Sequence, residues 1–143
     1  MKQEVKEFWR DFCQKHNWDE STKFDAWSFG TDKNGLADKV NRGIKTATTS
    51  AYEFYEDKPL PQVGELSVIL DEAGKPVCVV REKVVEIVPY NQISAEHAYH
   101  EGDGTYKNWR QIHDDFFKKE YESKKRAFYP QAPMVCEVFE KVE

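Results

Sequence analysis

Val5, Phe8, Trp9, Phe12 and Cys13 fall at i, i+3, i+4, i+7 and i+8. That spacing puts one apolar stripe on a helix and predicts helix over 3–16. Leu36, Val40 and Ile44 predict a shorter second helix. Asn34 is placed to cap its start, Lys39 and Arg42 lie near its end, and Gly43 sits just past it, where a left-handed residue closes a helix. The period then changes. Residues 45–50 are Thr-rich and read as strand or bend, Tyr52, Phe54 and Tyr55 form an aromatic cluster, and Pro59 and Pro61 break the pattern. The runs 66–70, 77–80 and 83–88, with a turn at 71–75, predict a hairpin or meander. Ser94 is placed to cap a short helix reaching Glu101. Asp103 or Thr105 caps a longer one with Tyr106, Trp109, Ile112, Phe116 and Phe117 facing inward, and 135–142 reads as a last strand.

Helices, strands, helices and a strand, without βαβ alternation, predict an α+β domain with a mainly antiparallel, barrel-like sheet rather than a doubly wound one. Residues 17–32 carry Trp18, Phe24, Trp27 and Phe29 with neither period. They are expected to form an ordered loop packed through those rings, since four exposed ones would make an adhesive patch.

Bulk properties narrow the class. With 143 residues the chain has the size of one domain, and 14% aromatic content is too high for a disordered one. No run approaches the roughly 20 apolar residues that span a bilayer. Cys13, Cys78 and Cys136 are odd in number and far apart, which suggests neither a disulfide framework nor a zinc site. A reduced, cytoplasmic setting is expected. A net charge of -5 disfavours extended duplex DNA as a partner.

Lys45 with Thr46, Thr48 and Thr49 is the densest group of donors, nucleophile and base, although Thr is also an ordinary strand residue. His97 and His100 beside Glu101 have the helical spacing of metal ligands, but equally that of a solvated helix face. No second ligand cluster supports them, so neither metal nor cofactor is expected. Trp18, Trp27, Tyr52, Tyr55 and Tyr99 are candidates for stacking on a base, though most are expected in the core. Lys118, Lys119, Lys124, Lys125 and Arg126 read as a solvated helix end that could touch phosphate.

Gly43-x-Lys45 with Thr48, Pro61-x-Val63-Gly64-Glu65 before a strand, His97-Ala98-x-x-Glu101-Gly102, and Trp109-Arg110-x-x-His113-x-x-Phe116-Phe117 together resemble the ASCH family over residues 29–139. The resemblance implies a PUA-like small β-barrel with flanking helices, a fold associated with RNA, with the Lys45 segment lining a cleft. It implies a single domain over 1–143, with 1–28 a helix and loop extension packed on it. The chain has Thr48 where the family pattern usually has Glu, and Ser50 where it usually has Arg. A small branch acting as amidohydrolase on N4-acetylcytidine also carries Thr there, and by that match Lys45, Thr48 and Glu101 become the catalytic candidates. A Thr hydroxyl needs a neighbouring base, and a Lys desolvated in a cleft can serve. Lys45 and Thr48 are three apart, so an unbroken strand would point them to opposite faces. The site therefore requires a bend near Thr46. The expectation is an RNA-binding or nucleoside-binding domain. The alternatives are an amidohydrolase, a single-strand ribonuclease, or a non-catalytic RNA or protein adaptor.

Overall fold

The computed structural model describes all 143 residues. In chain order the elements are α1 (Gln3–His16), β1 (Asp25–Trp27), α2 (Lys33–Asn41), β2 (Ala47–Ala51), β3 (Leu66–Leu70), β4 (Pro76–Pro89), α3 (Ala95–His100), α4 (Tyr106–Ser123) and β5 (Pro133–Val142). One sheet contains every strand, in the order β1-β3-β4-β5-β2. All its pairings are antiparallel except β1 with β3. β1 and β2 are its two open edges, so the sheet does not close into the barrel expected from sequence.

Both faces are covered. Val68 and Val79 meet Val5, Trp9 and Cys13 of α1, while Ile69, Cys78 and Val80 meet Ala37 and Val40 of α2 together with Phe29. At the other end Trp109, Phe117 and Tyr121 of α4 pack on Ala51, Met134 and Cys136. The 17–32 segment is ordered and aromatic-packed, but it also contributes β1, a three-residue parallel strand too short for any periodicity. The runs 77–80 and 83–88 are one strand, β4, with an irregularity between Glu82 and Val84 in its pairing with β5.

Three local details differ from the sequence reading. Asp32, not Asn34, occupies the N-cap position of α2, and Asn34 instead accepts from the Glu72 amide. Ile44 lies beyond the helix and is exposed. On α4, Ile112 faces outward while His113 is buried, because Trp109, His113, Phe117 and Tyr121 continue the true inner stripe at i, i+4, i+8 and i+12. Thr105 is the cap, accepting from the Asn108 amide.

The end of α2 sets up the site. Ile44 N–H donates to Lys39 O, and Gly43 N–H to Val40 O, around a Gly43 φ of 77°. This is a Schellman closure, which needs a left-handed residue just past the cap. It turns the chain so that Thr46 N–H reaches His100 O at the end of α3, and regular strand begins only at Ala47.

Candidate functional site

Lys45 stands in that bend, before β2. Its side chain is 3% exposed, and its Nζ donates to Ala47 O at 2.7 Å and to Glu101 O and Oε1, each at 3.4 Å. Glu101, at the C-cap of α3, is 1% exposed. Its Oε2 accepts from Thr49 Oγ1 at 2.6 Å and from Trp109 Nε1 at 2.7 Å. The His113 ring approaches its Oε1 at 3.3 Å and the His97 ring its Oε2 at 3.4 Å. Trp109 O can only accept, so His113 Nδ1, 2.8 Å away, donates to it, and a hydrogen bond from Nε2 to the carboxylate requires the imidazolium form of the ring. The Thr49 hydroxyl gives its one proton to Glu101, so its oxygen receives His97 Nε2 at 3.0 Å.

Burial alone would push the Glu101 carboxyl up. The hydrogen bonds from His113 and His97 and the Lys45 charge outweigh it and hold the group well below its usual value. Glu101 is an ionised, donor-saturated anchor. Burial draws the Lys45 amine down from its usual value, only partly offset by Glu101 and Asp103.

The three residues singled out from sequence, Lys45, Thr48 and Glu101, line one cavity of about 290 Å³, closed by Phe29, Leu36 and Phe116. The bend that the spacing required is present. Along β2, Ala47, Thr49 and Ala51 are buried while Thr48 and Ser50 face the other side of the sheet. Thr49 therefore belongs to the Glu101 network, and Thr48 presents a hydroxyl with no protein partner. Sequence reasoning missed Thr49, His97, His113 and Trp109 as partners of Glu101. His97 at i−4 from Glu101 carried a usable signal. Thr49 carried none, since its role depends on which face of β2 packs against α3 and α4.

His97 and His100 are not brought together, for His100 is exposed against Tyr99. Glu101, Asp103 and His113 do offer ligand atoms within 4.8 Å of one another, but a cation there would compete with Lys45 for Glu101. Of the stacking candidates, Trp27 and Tyr55 line an adjoining cleft of about 560 Å³ that shares Phe29, Thr48, Thr49 and Phe116 with the first. Trp18 instead packs among Trp9, Phe12 and His16. Arg126 of the basic stretch pairs with Glu53. No helix is long and apolar enough to cross a membrane.

A sheet of this order, with a lysine bend between its edge strand and the ends of two helices, places the molecule in an α+β class that sequence comparison makes definite. Residues 25–143 match the ASCH domain model, and the chain belongs to the ASCH family. It is similar to the ASCH domain from Lactobacillus crispatus JV V101, at 30% identity and a TM-score of 0.89 over 99% of this chain and 95% of that one. It is also similar to protein EF3133 from Enterococcus faecalis V583, at 36% identity and a TM-score of 0.87 over 99% and 94%. The hypothetical protein PH0355, at 15% identity and a TM-score of 0.53 over 85% of this chain and all of that one, shares the fold alone. No curated protein matches the sequence.

Proposed function

We propose that this ASCH domain takes a nucleoside-sized ligand into the Lys45 cavity and hydrolyses an acyl amide on it, with N4-acetylcytidine as the model substrate. The observation that carries the reading is the pairing of a buried amine, drawn down by desolvation, with an uncommitted Thr48 hydroxyl on the same small cavity. Lys45 faces three acceptors, which suit an ammonium with three protons. A neutral amine has only two, so one of the contacts at 3.4 Å opens and a lone pair becomes free to take the Thr48 proton. Thr48 Oγ then bonds to the acyl carbon, the Lys45 ammonium returns the proton to the departing amine, and water cleaves the resulting ester. Glu101 holds Lys45 in position; its oxygens are too fully occupied for it to act as the base.

A free nucleoside suits the site better than an RNA strand, because the adjoining cleft carries Asp25, Glu65, Glu120 and the Glu82–Glu137 pair against Lys58 alone, and even with one proton held by that pair the excess of negative charge repels phosphates. One observation favours a second reading, ligand binding without turnover. Ser50, standing where the family pattern has Arg, is tied to Tyr55 OH at 2.8 Å and offers no planar cation to a substrate oxygen.

Incubating the protein with N4-acetylcytidine and following acetate release tests the choice. Thr48→Val is expected to keep the fold and lose on the order of a thousandfold in turnover. Nucleoside binding with no hydrolysis above background would establish the second reading. Equal turnover by the Thr48→Val protein would remove Thr48 as the nucleophile.

A further inference from the structure

Glu82 of β4 and Glu137 of β5 lie side by side on the floor of the 560 Å³ cleft, 3% and 7% exposed. The register explains the pairing. Glu82 stands opposite Phe139, two residues from Glu137, so both side chains leave the same face of the sheet, and Thr48 is the cross-strand neighbour of Glu137 on β2. Each carboxyl has the other for company and little else. No N–H or O–H of the rest of the protein donates to either, in contrast to the donors gathered on Glu101.

Four buried polar side-chain atoms in the molecule lack any partner. Two of them, Glu82 Oε2 and Glu120 Oε1, are carboxylate oxygens of side chains lining this one cleft. Leaving buried acceptors unmet costs stability, so the arrangement is not explained as packing. Trp27, Phe29, Tyr55, Pro59 and Pro61 line the same cleft. Flat apolar walls above an acceptor-only floor suit a planar cation whose N–H groups point down and whose face lies against the rings.

We propose that Glu82 and Glu137 form a binding site for a ligand bearing a planar amidinium or guanidinium group. A metal ion fits less well. No third histidine, cysteine or acidic ligand atom gathers with the pair within the 4.8 Å found at Glu101, Asp103 and His113, and hard divalent cations take six or more oxygen ligands or keep several waters. The site adjoins the Lys45 cavity through Thr48 but uses neither the Lys45 amine nor the Thr48 hydroxyl.

By itself the pair keeps a proton. Burial, then the hydrogen bond and charge of Glu137 and the charge of Glu65, push Glu82 up to about 10. Burial and the Glu65 and Glu101 charges also raise Glu137, while the Glu82 hydrogen bond and Lys45 pull it the other way. A cation entering between the two carboxyls takes the place of that proton, which leaves to solvent. Binding therefore releases about one proton, and affinity rises with pH while the pair stays protonated.

Titration calorimetry of the full chain with benzamidine, and with benzamide as its neutral match, tests this. Benzamidine is expected to bind at least roughly tenfold more tightly than benzamide, with a heat that changes with the ionisation enthalpy of the buffer. Glu82→Gln is expected to lose that preference while its Tm stays level or rises. Ser50→Arg, placing a guanidinium on the same face of the cleft, is expected to block the site from within. A blocked Gly-Arg-Gly peptide run alongside tells whether the group can arrive on a peptide as well as on a free molecule, and binding of either probe supports the site. Equal affinity for benzamide, a buffer-independent heat, undiminished binding by Glu82→Gln, or no binding of either cation would overturn it. Hydrolysis of N4-acetylcytidine by a protein that ignores both benzamidine and the peptide would leave the Lys45 reading standing and remove this one.

Discussion

Two buried glutamate environments meet adjacent residues of β2, Glu101 through Thr49 and the Glu82–Glu137 pair through Thr48, and they are opposites. Glu101 is met by the Lys45 ammonium, the Thr49 hydroxyl, the Trp109 indole and two imidazoles. Glu82 is met by another carboxyl. Burial penalises both charges alike, yet one is held ionised and the other protonated. Depth in the fold therefore does not set the state of a carboxyl; the donors aimed at it do. The first arrangement is a scaffold that fixes a lysine. The second keeps acceptor capacity in reserve at a cost in stability, as binding sites commonly do.

Glu101 carries the largest expected effect. Glu101→Ala strands the Lys45 ammonium without its counter-charge and removes the acceptor of Thr49 and Trp109. A loss of about 3 to 5 kcal/mol is expected in urea denaturation, the usual cost of removing one member of a buried pair. A loss under about 1 kcal/mol would mean that the network does not anchor the fold.

The adjacent threonines of β2 are expected to differ as well. Thr49→Val deletes a hydrogen bond to an ionised acceptor and should cost roughly 1.5 to 3 kcal/mol. Thr48→Val deletes a hydroxyl with no protein partner and should change stability by no more than about 0.5 kcal/mol. Comparable losses in the same denaturation experiment would erase the distinction between the two faces of β2.

In their pH dependence the two glutamates act with opposite sign. Glu101 binds its proton less readily folded than unfolded. Its contribution is complete above about pH 4.5 and is lost as pH falls through its lowered folded value. Glu82 binds its proton more readily folded, so its contribution is full below about pH 4.5 and drains away as pH rises toward about 10. The Glu82 share of stability should therefore fall between pH 6 and 9 by no more than about 1.4 kcal/mol per unit, the value for one retained proton, against an opposing rise from the lowered Lys45 amine. Glu82→Gln should flatten that slope. The same change should also raise stability near pH 8 by roughly 1 to 3 kcal/mol, because a buried unmet acceptor is relieved. Parallel parent and Glu82→Gln profiles over this range would contradict the shared proton.

The amino-acid sequence by itself determined α1, the Schellman turn at Gly43, both capped helices after β4 and the antiparallel strand order of the hairpin, because each rests on local periodicity or on one residue with a special backbone. It also carried the family resemblance, and through it Lys45, Thr48 and Glu101, together with the need for a bend before Thr48 that the end of α2 supplies. Periodicity could not reach β1, whose three residues are too few to show one, nor the open edges where a closed barrel was expected, since closure depends on whether two distant strands meet. Tertiary structure alone decided which threonine anchors Glu101 and which keeps a hydroxyl without a protein partner. It alone brought Glu82 to Glu137, separated by more than fifty residues and joined only by strand register, and it left them without donors. Local sequence encodes elements and their faces. The partners that set the charge of a buried group come from other elements, and only packing chooses them.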